Sequence, residues 1–109
     1  MGQLGFRVNM KPVVLKTARD DLKEIRASLS EYGNTPPKKF RESFEKFCEN
    51  VEDMPYMHSV YGPNAKYRRA VIEYDYLVFY QIEESSQRVK IYRVLHGKRD
   101  IERTLGSLT

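Results

Sequence analysis

The fold is decided by residues 67–95, which read YRRAVIEYDYLVFYQIEESSQRVKIYRVL. This stretch contains three runs rich in Val, Ile, Tyr and Phe, namely Tyr67–Glu73, Tyr76–Glu83 and Arg88–Leu95. Short polar turns separate the runs, and apolar runs bounded in this way are typical of β-strands. Consecutive strands joined so tightly pair antiparallel, so the sequence predicts a three-stranded meander.

The second run occupies the middle of this predicted sheet. Its segment Leu77-Val78-Phe79-Tyr80 is apolar at both alternating sets of positions. Because successive side chains of a strand point to opposite faces, a strand of this kind is buried on both sides. We therefore expect it to be a central strand, with the other two runs beside it.

The region before the meander has a helical period. A first apolar stripe, spaced by four, three and four residues, consists of Ala18, Leu22, Ile25 and Leu29. Thr17 has the chemistry of an N-cap for this helix, and Gly33 is a suitable residue to end it. The stripe occupies one face of the helix, so it predicts a helix that packs against a core.

A second stripe with the same spacing consists of Phe40, Phe44, Phe47 and Val51. Its helix is expected to begin at Thr35-Pro36-Pro37, since proline is tolerated at the first helical positions, and to end at Met54-Pro55. The turn between the two helices is short, so they should pack as an antiparallel hairpin.

Two short elements complete the predicted fold: a strand at 12–16 and a C-terminal helix over Asp100–Leu108. The fold class is α+β, with an antiparallel twisted sheet in the order strand, helix, helix, strand, strand, strand. The N-terminal helical hairpin should pack on one face of the sheet. We expect the other face to stay bare and to present Tyr and Arg side chains to another molecule.

The length of 109 residues predicts a single domain. Residues 1–9 show no clear period and are interpreted as an N-terminal extension, and Met10 is a possible alternative start. The domain itself should span residues 10–109. Residues 55–66 are irregular in character and predict a loop.

The formal net charge is +4, and residues 57–109 carry nine basic against six acidic side chains. A basic half of this kind suits a partner rich in phosphate or carboxylate, although many soluble domains have a basic face without such a partner.

Cys48 is the one cysteine, which excludes an intramolecular disulfide and favours the cytoplasm. No apolar run is long enough for a membrane span. Without a glycine-rich phosphate loop or metal-ligand spacing, we expect no cofactor, no metal and no small-molecule substrate.

Four segments, taken in order, carry a family resemblance: Ala18-x-x-Asp21-Leu22-x-x-Ile25, Tyr67-Arg68-Arg69, Tyr76-Leu77-Val78-Phe79-Tyr80 and Val89-x-Ile91-x-Arg93-Val94-Leu95-His96-Gly97-x-Arg99-Asp100. Together they resemble the RelE/ParE toxins of bacterial type II toxin–antitoxin systems. The resemblance covers the chain from about Met10 to Leu108. It implies the α+β fold, a role in plasmid stabilisation and growth inhibition, and a cognate antitoxin that wraps the toxin with an extended or helical segment.

One branch of the family, the RelE-like toxins, cleaves mRNA on the ribosome. Its chemistry needs an acid, a base and cations that stabilise a charged phosphorane. On this branch the resemblance implies catalytic roles for Arg68 and Arg99. His96 is a candidate acid or base, because the unperturbed pKa of a histidine lies near neutrality. However, the remaining polar groups of the RelE-like set would fall on apolar positions, namely Ala70, Leu77 and Leu105. The ribosome-dependent endoribonuclease is therefore the alternative reading, and enzymatic activity stays open.

The other branch, the ParE-like toxins, blocks DNA gyrase without a known hydrolytic residue set. The third-strand segment 76–80 and the ending Val94-Leu95-His96-Gly97-Lys98-Arg99-Asp100 fit this branch better. We therefore expect a ParE-like toxin that inhibits gyrase. Toxins with other targets and inactive relatives are further possibilities.

The residues expected to bind the target or the antitoxin are Arg69, Arg93, Lys98 and Tyr80. Each basic candidate has a plainer interpretation beside the functional one. Arg93 could pair with a carboxylate such as Glu73 or Glu83, because a charge within an apolar strand needs a partner. His96 could cap the sheet. Four basic residues could either bind phosphate or carboxylate as a cluster or form a solvated rim, namely Arg68, Arg69, Lys98 and Arg99. His58 is expected to be an ordinary polar loop residue, and Cys48 a small, partly buried hydrophobe.

Overall fold

The computed structural model describes residues 9–106, and at positions 98, 99 and 106 it describes the backbone alone. The strands are β1 (Lys11–Val14), β2 (Arg68–Val71), β3 (Leu77–Glu83) and β4 (Arg88–Leu95). The helices are α1 (Lys16–Leu29), α2 (Thr35–Asp53) and α3 (Lys98–Gly106). The α+β class is confirmed, and the helices and strands follow one another as β1, α1, α2, β2, β3, β4 and α3. The expected extension, residues 1–9, lies outside the described residues except for Asn9.

The four strands form one sheet in the order β1-β4-β3-β2. β2, β3 and β4 pair antiparallel, which confirms the meander and the central position of β3. The expectation of a purely antiparallel sheet is wrong, because β1 pairs with β4 in parallel. The reason is the crossover formed by residues 15–67, which returns the chain to the end of the sheet where β1 began. β2 therefore runs in the same direction as β1. The chain reverses between β2 and β3 and again between β3 and β4, so β4 also runs parallel to β1.

The boundaries of α1 differ from the prediction in one physical detail. Helix α1 begins at Lys16, and Thr17 does not cap it. Instead, the Thr17 hydroxyl donates a hydrogen bond of 2.8 Å to the carbonyl of Tyr92. That carbonyl needs a donor because β1, whose last pair is Val14 with Ile91, has already ended there. Gly33 ends the helix as expected, after one 3₁₀ turn, with a φ of 106° that favours glycine.

The helical hairpin buries one face of the sheet, as predicted. Phe40, Phe47 and Val51 of α2 are buried, while Phe44 packs at the margin. The side chain of Tyr80 is fully buried in this core, where its hydroxyl donates to the carbonyl of Pro55 at 3.1 Å. Burial raises the pKa of Tyr80 to about 12. The expectation that Tyr80 meets a partner at the surface is therefore wrong.

The second face of the sheet is bare only in part, which corrects another expectation. Phe79, Tyr67 and Leu95 are buried there against Ile101 and Leu105 of α3. Gly97, with a φ of 95°, turns the chain after β4 so that α3 folds back over the sheet. Because Ile101 and Leu105 are four residues apart, both reach the sheet from one side of α3. The hairpin thus covers one face of the sheet, and the short helix covers only the part of the other face around Phe79 and Leu95. On that second face Arg69, Val71 and Arg88 stay exposed.

Phe47 supplies a test of the first core. Its ring lies 5.5 Å from that of Tyr80 and 6.1 Å from that of Phe44. Phe47→Ala should lower the free energy of unfolding by about 3–5 kcal/mol, because it removes buried contacts and leaves a cavity. Urea denaturation followed by circular dichroism measures the change. Tyr32→Ala, at a side chain that is 77% exposed, should stay within about 0.5 kcal/mol of the parent.

Candidate functional site

The residues predicted from the sequence lie in three separate places around the sheet. Arg93 and His96 line a cleft between α1 and α3. Arg69 and His96 line a second pocket on the other side of the end of β4. Arg68 lines a third cavity, whose lining residues are shared with neither of the first two. His96 thus joins two of the three sites, and the end of β4 is the strongest candidate for a functional surface.

The first of these sites is a polar cleft of about 420 Å³, formed where α1, the end of β4 and α3 meet. Its charged lining residues are Asp21, Glu24, Arg93, Asp100 and Arg103. Two ion pairs connect most of them: Arg93 with Asp21 at 2.7 Å, and Arg103 with Asp100 at 2.9 Å. Because the charges are largely compensated, the cleft is suited to a partner with mixed polar groups rather than to a single strong anion.

The pair of Asp21 and Arg93 is the best-ordered polar contact of the cleft. Arg93 donates from Nε and Nη2 to the two carboxylate oxygens, at 2.7 and 2.8 Å. The backbone N–H of Val94 donates to the same carboxylate at 2.9 Å. The hydrogen bonds that Arg93 donates to Asp21 raise the pKa of Arg93 above its ordinary value. Arg93 is therefore held in one orientation by a bidentate, charge-assisted contact.

This contact corrects the expected partner of Arg93, which is neither Glu73 nor Glu83. Glu83 pairs with Lys90 at 2.9 Å instead. Asp21 takes the place because β1 ends beside Ile91, so α1 lies along the second half of β4. A sequence signal for this role exists: Asp21 follows Ala18 by three residues and precedes Ile25 by four. An acid on the apolar face of a helix needs a buried partner.

His96 lies directly after β4 and is exposed. Its ring packs on that of Tyr76, with the centroids 4.6 Å apart and the planes tilted by 38°. The second pocket, of about 450 Å³, lies on its other side and has Leu77 and Ile101 among its apolar lining residues. Arg69, which is exposed on β2, lines this pocket as well. The arrangement joins an imidazole, a guanidinium and an apolar floor, which suits the binding of a protein side chain.

The catalytic set expected for the endoribonuclease is not assembled by the described residues. Arg68 and His96 line different cavities. The side chains of Lys98 and Arg99 lie outside the described residues, although both positions belong to the first turn of α3. Ala70 and Leu105, at two of the positions where polar groups would be needed, are core residues.

Arg68 has its own surroundings, which the sequence did not indicate. Its Nη1 donates to the carbonyl of His58 at 2.6 Å, and its guanidinium lies 5.0 Å above the ring of Tyr56. The Tyr56 hydroxyl in turn donates to Glu84. This hydrogen bond is the main cause that raises the pKa of Tyr56, so the phenol keeps its proton.

Within residues 9–106, no group of three or more His, Cys, Asp or Glu side chains is placed to hold a metal ion. In the same part of the chain, no helix has the length and apolar character that crossing a membrane requires.

Burial raises the pKa of Cys48 to about 11, so the thiol stays protonated and behaves as a partly buried apolar group.

A helical hairpin on one face of a four-stranded mixed sheet, with a polar cleft and a mainly apolar pocket beside the end of its last strand, defines a small α+β protein with candidate binding sites at that end. The model of the family described as ParE toxin of type II toxin–antitoxin system, parDE, matches residues 13–101. This match covers most of the chain, and the protein belongs to the ParE toxin family. A search of curated proteins found no significant match.

Asp21 and its neighbour Asp20 provide a matched pair of variants. Asp21→Ala should lower the free energy of unfolding by about 2–3 kcal/mol, because it leaves Arg93 and the Val94 N–H without their acceptor in a partly buried place. Asp20 pairs with Lys16 at the exposed surface, so Asp20→Ala should cost less than about 1 kcal/mol. Urea titrations of both variants measure the difference. Equal losses would contradict the role given to the Asp21 contact.

His58 predicts a pH dependence of stability. Its ring packs against Phe47 at 5.8 Å and Tyr80 at 6.2 Å, and burial lowers its pKa. Folding therefore favours the neutral ring. The stabilisation is complete above the unfolded-state pKa of about 6.5 and is lost as the pH falls through the lower folded-state value. Urea midpoints between pH 8 and pH 5 should show an acid loss that is smaller in His58→Gln and persists in His96→Gln.

Proposed function

We propose that this chain is a gyrase-directed toxin that acts by binding and is neutralised by a cognate antitoxin. The observation that carries the proposal is the apolar character of Ala70, Leu77 and Leu105. A ribonuclease of the RelE-like kind would need polar or charged groups at these positions. Loss of one charge-stabilising group commonly costs several kcal/mol of transition-state stabilisation. A protein that lacks three of them is better suited to inhibit a partner than to cleave a phosphodiester.

The surface that we assign to the target lies around His96, with Arg69 on β2 and the apolar floor that includes Leu77. Protein interfaces are enriched in arginine and depleted of charge at their centre. Arg69 at the rim of an apolar pocket fits that composition. Arg93, held by Asp21, and Lys98, at the start of α3, are proposed to contribute from the neighbouring cleft and helix.

Membership of the ParE family implies an antitoxin partner, and the basic half of the chain supports an acidic one. In this proposal the pair stabilises a plasmid or similar element, because loss of the antitoxin releases the toxin and stops growth. The site of action is then the cytoplasm, where gyrase acts on DNA. The neighbouring reading frame should encode a short acidic protein with a DNA-binding N-terminal half.

A supercoiling assay with purified gyrase tests the proposal. The purified chain should inhibit supercoiling, or trap cleavage complexes, at micromolar concentration. Arg69→Glu should weaken the inhibition at least about tenfold, equivalent to ~1.4 kcal/mol, because it reverses a charge at the proposed surface. Lys38→Glu makes an equal charge change at an exposed position of α2 and should leave the inhibition unchanged.

Two results together would contradict the proposal. No effect on gyrase at micromolar concentration, together with ribosome-dependent cuts in mRNA that disappear in Arg99→Ala, would replace this proposal with the endoribonuclease. Primer extension on mRNA from translating ribosomes detects such cuts.

A further inference from the structure

The loop that follows α2 concentrates exposed apolar side chains. Of the seven large hydrophobic side chains exposed within the described residues, four lie between positions 54 and 60: Met54, Tyr56, Met57 and Val60. Each is between 45% and 60% exposed. Exposed apolar side chains that lie close together are typical of contact sites, and Tyr56 and Val60 line one cavity. We call these four residues the loop patch.

The backbone that carries the loop patch is fixed at several points. The carbonyl of Pro55 accepts from the buried Tyr80 hydroxyl, and the carbonyl of His58 accepts from Arg68. The carbonyl of Ser59 accepts from the backbone N–H of Arg69 at 3.1 Å. The exposed side chains therefore project from an ordered frame. A partner that binds here does not have to order the loop, which lowers the entropic cost of binding.

The cavity beside the loop patch has more positive than negative side chains in its lining, whereas the exposed acids Glu52 and Asp53 directly precede Met54 in the chain. Tyr56 and Val60 line a cavity of about 370 Å³ with Lys66, Arg68 and Glu84. The single carboxylate of this set, Glu84, already accepts the Tyr56 hydroxyl. Arg68 uses Nη1 for the His58 carbonyl and packs on the Tyr56 ring. Two cations thus face the cavity beside one carboxylate that is engaged within the chain.

We propose that the loop patch, together with Lys66 and Arg68, is a docking surface for a protein segment that carries a carboxylate flanked by apolar side chains. The carboxylate would lie between the two cations, and its apolar neighbours would cover Tyr56, Met57 and Val60. Methionine, tyrosine and arginine are the side chains enriched at such contacts. This surface is separate from the pockets at His96, so the inference does not depend on the identity of the toxin's target.

A random peptide library displayed on phage tests the proposal with the folded chain immobilised. Selected peptides should be enriched in Asp or Glu next to large apolar residues. Their affinity, measured by calorimetry, should fall about tenfold for Lys66→Gln or Val60→Ser, as expected when one side of a charged or apolar contact is removed. Arg68→Gln should do the same provided that its urea midpoint matches the parent.

Matched controls lie on the helical hairpin. Lys38→Gln removes an exposed cation and Tyr32→Ser an exposed aromatic ring, and both should bind the selected peptides like the parent chain. Selection of peptides without acidic residues, or affinities that the patch variants do not change, would overturn the proposal. So would a single-stranded oligonucleotide of mixed sequence that binds at residues 54–68 more tightly than any selected peptide.

Discussion

The contact of Asp21 with Arg93 and the Val94 N–H is the constraint on which the candidate site depends. β4 is eight residues long, whereas β1 pairs with it only as far as Ile91. The uncovered half of the β4 edge would otherwise present an unpaired N–H and an arginine within an apolar strand. Asp21 satisfies both, and Thr17 satisfies the Tyr92 carbonyl. Two side chains of helix α1 thus hydrogen-bond to the part of the β4 edge that β1 does not reach. The polar cleft lies next to these contacts.

The position of the site follows from how both faces of the sheet are covered. The hairpin buries one face and α3 a part of the other, so partner contacts are expected at the ends of the strands, in the loops and at the exposed positions of β2 and β4. The pockets around His96 lie at one end of the meander. The loop patch and Arg68 lie where the chain enters it. In both regions, apolar and charged side chains line the same pocket at the surface.

The sequence predicted the elements of local pattern correctly. The stripes Phe40–Val51 and Ala18–Leu29, the three strand segments and the glycine after α1 all depend on neighbouring residues, so they can be read from spacing. Prediction from the sequence failed where contacts between distant parts of the chain decide the structure. Which segments lie side by side decides four features that the sequence did not predict: the direction of β1, the partner of Arg93, the packing of α3 on the sheet and the burial of Tyr80. The family match supports the toxin class, while the roles of individual site residues depend on geometry that spacing does not encode.

The parallel pairing of β1 with β4 joins Lys11 to Arg88, so the two edges of this ladder come from nearly opposite ends of the chain. Contacts of such sequence separation are slow to form, because a long loop must close before they contribute. During translation, the sheet cannot be completed until β4 has been synthesised. A nascent copy therefore contains the residues of both hairpin helices well before it contains the edge of β4 on which Asp21 docks, and the end that carries the candidate site is the last part of the sheet to form.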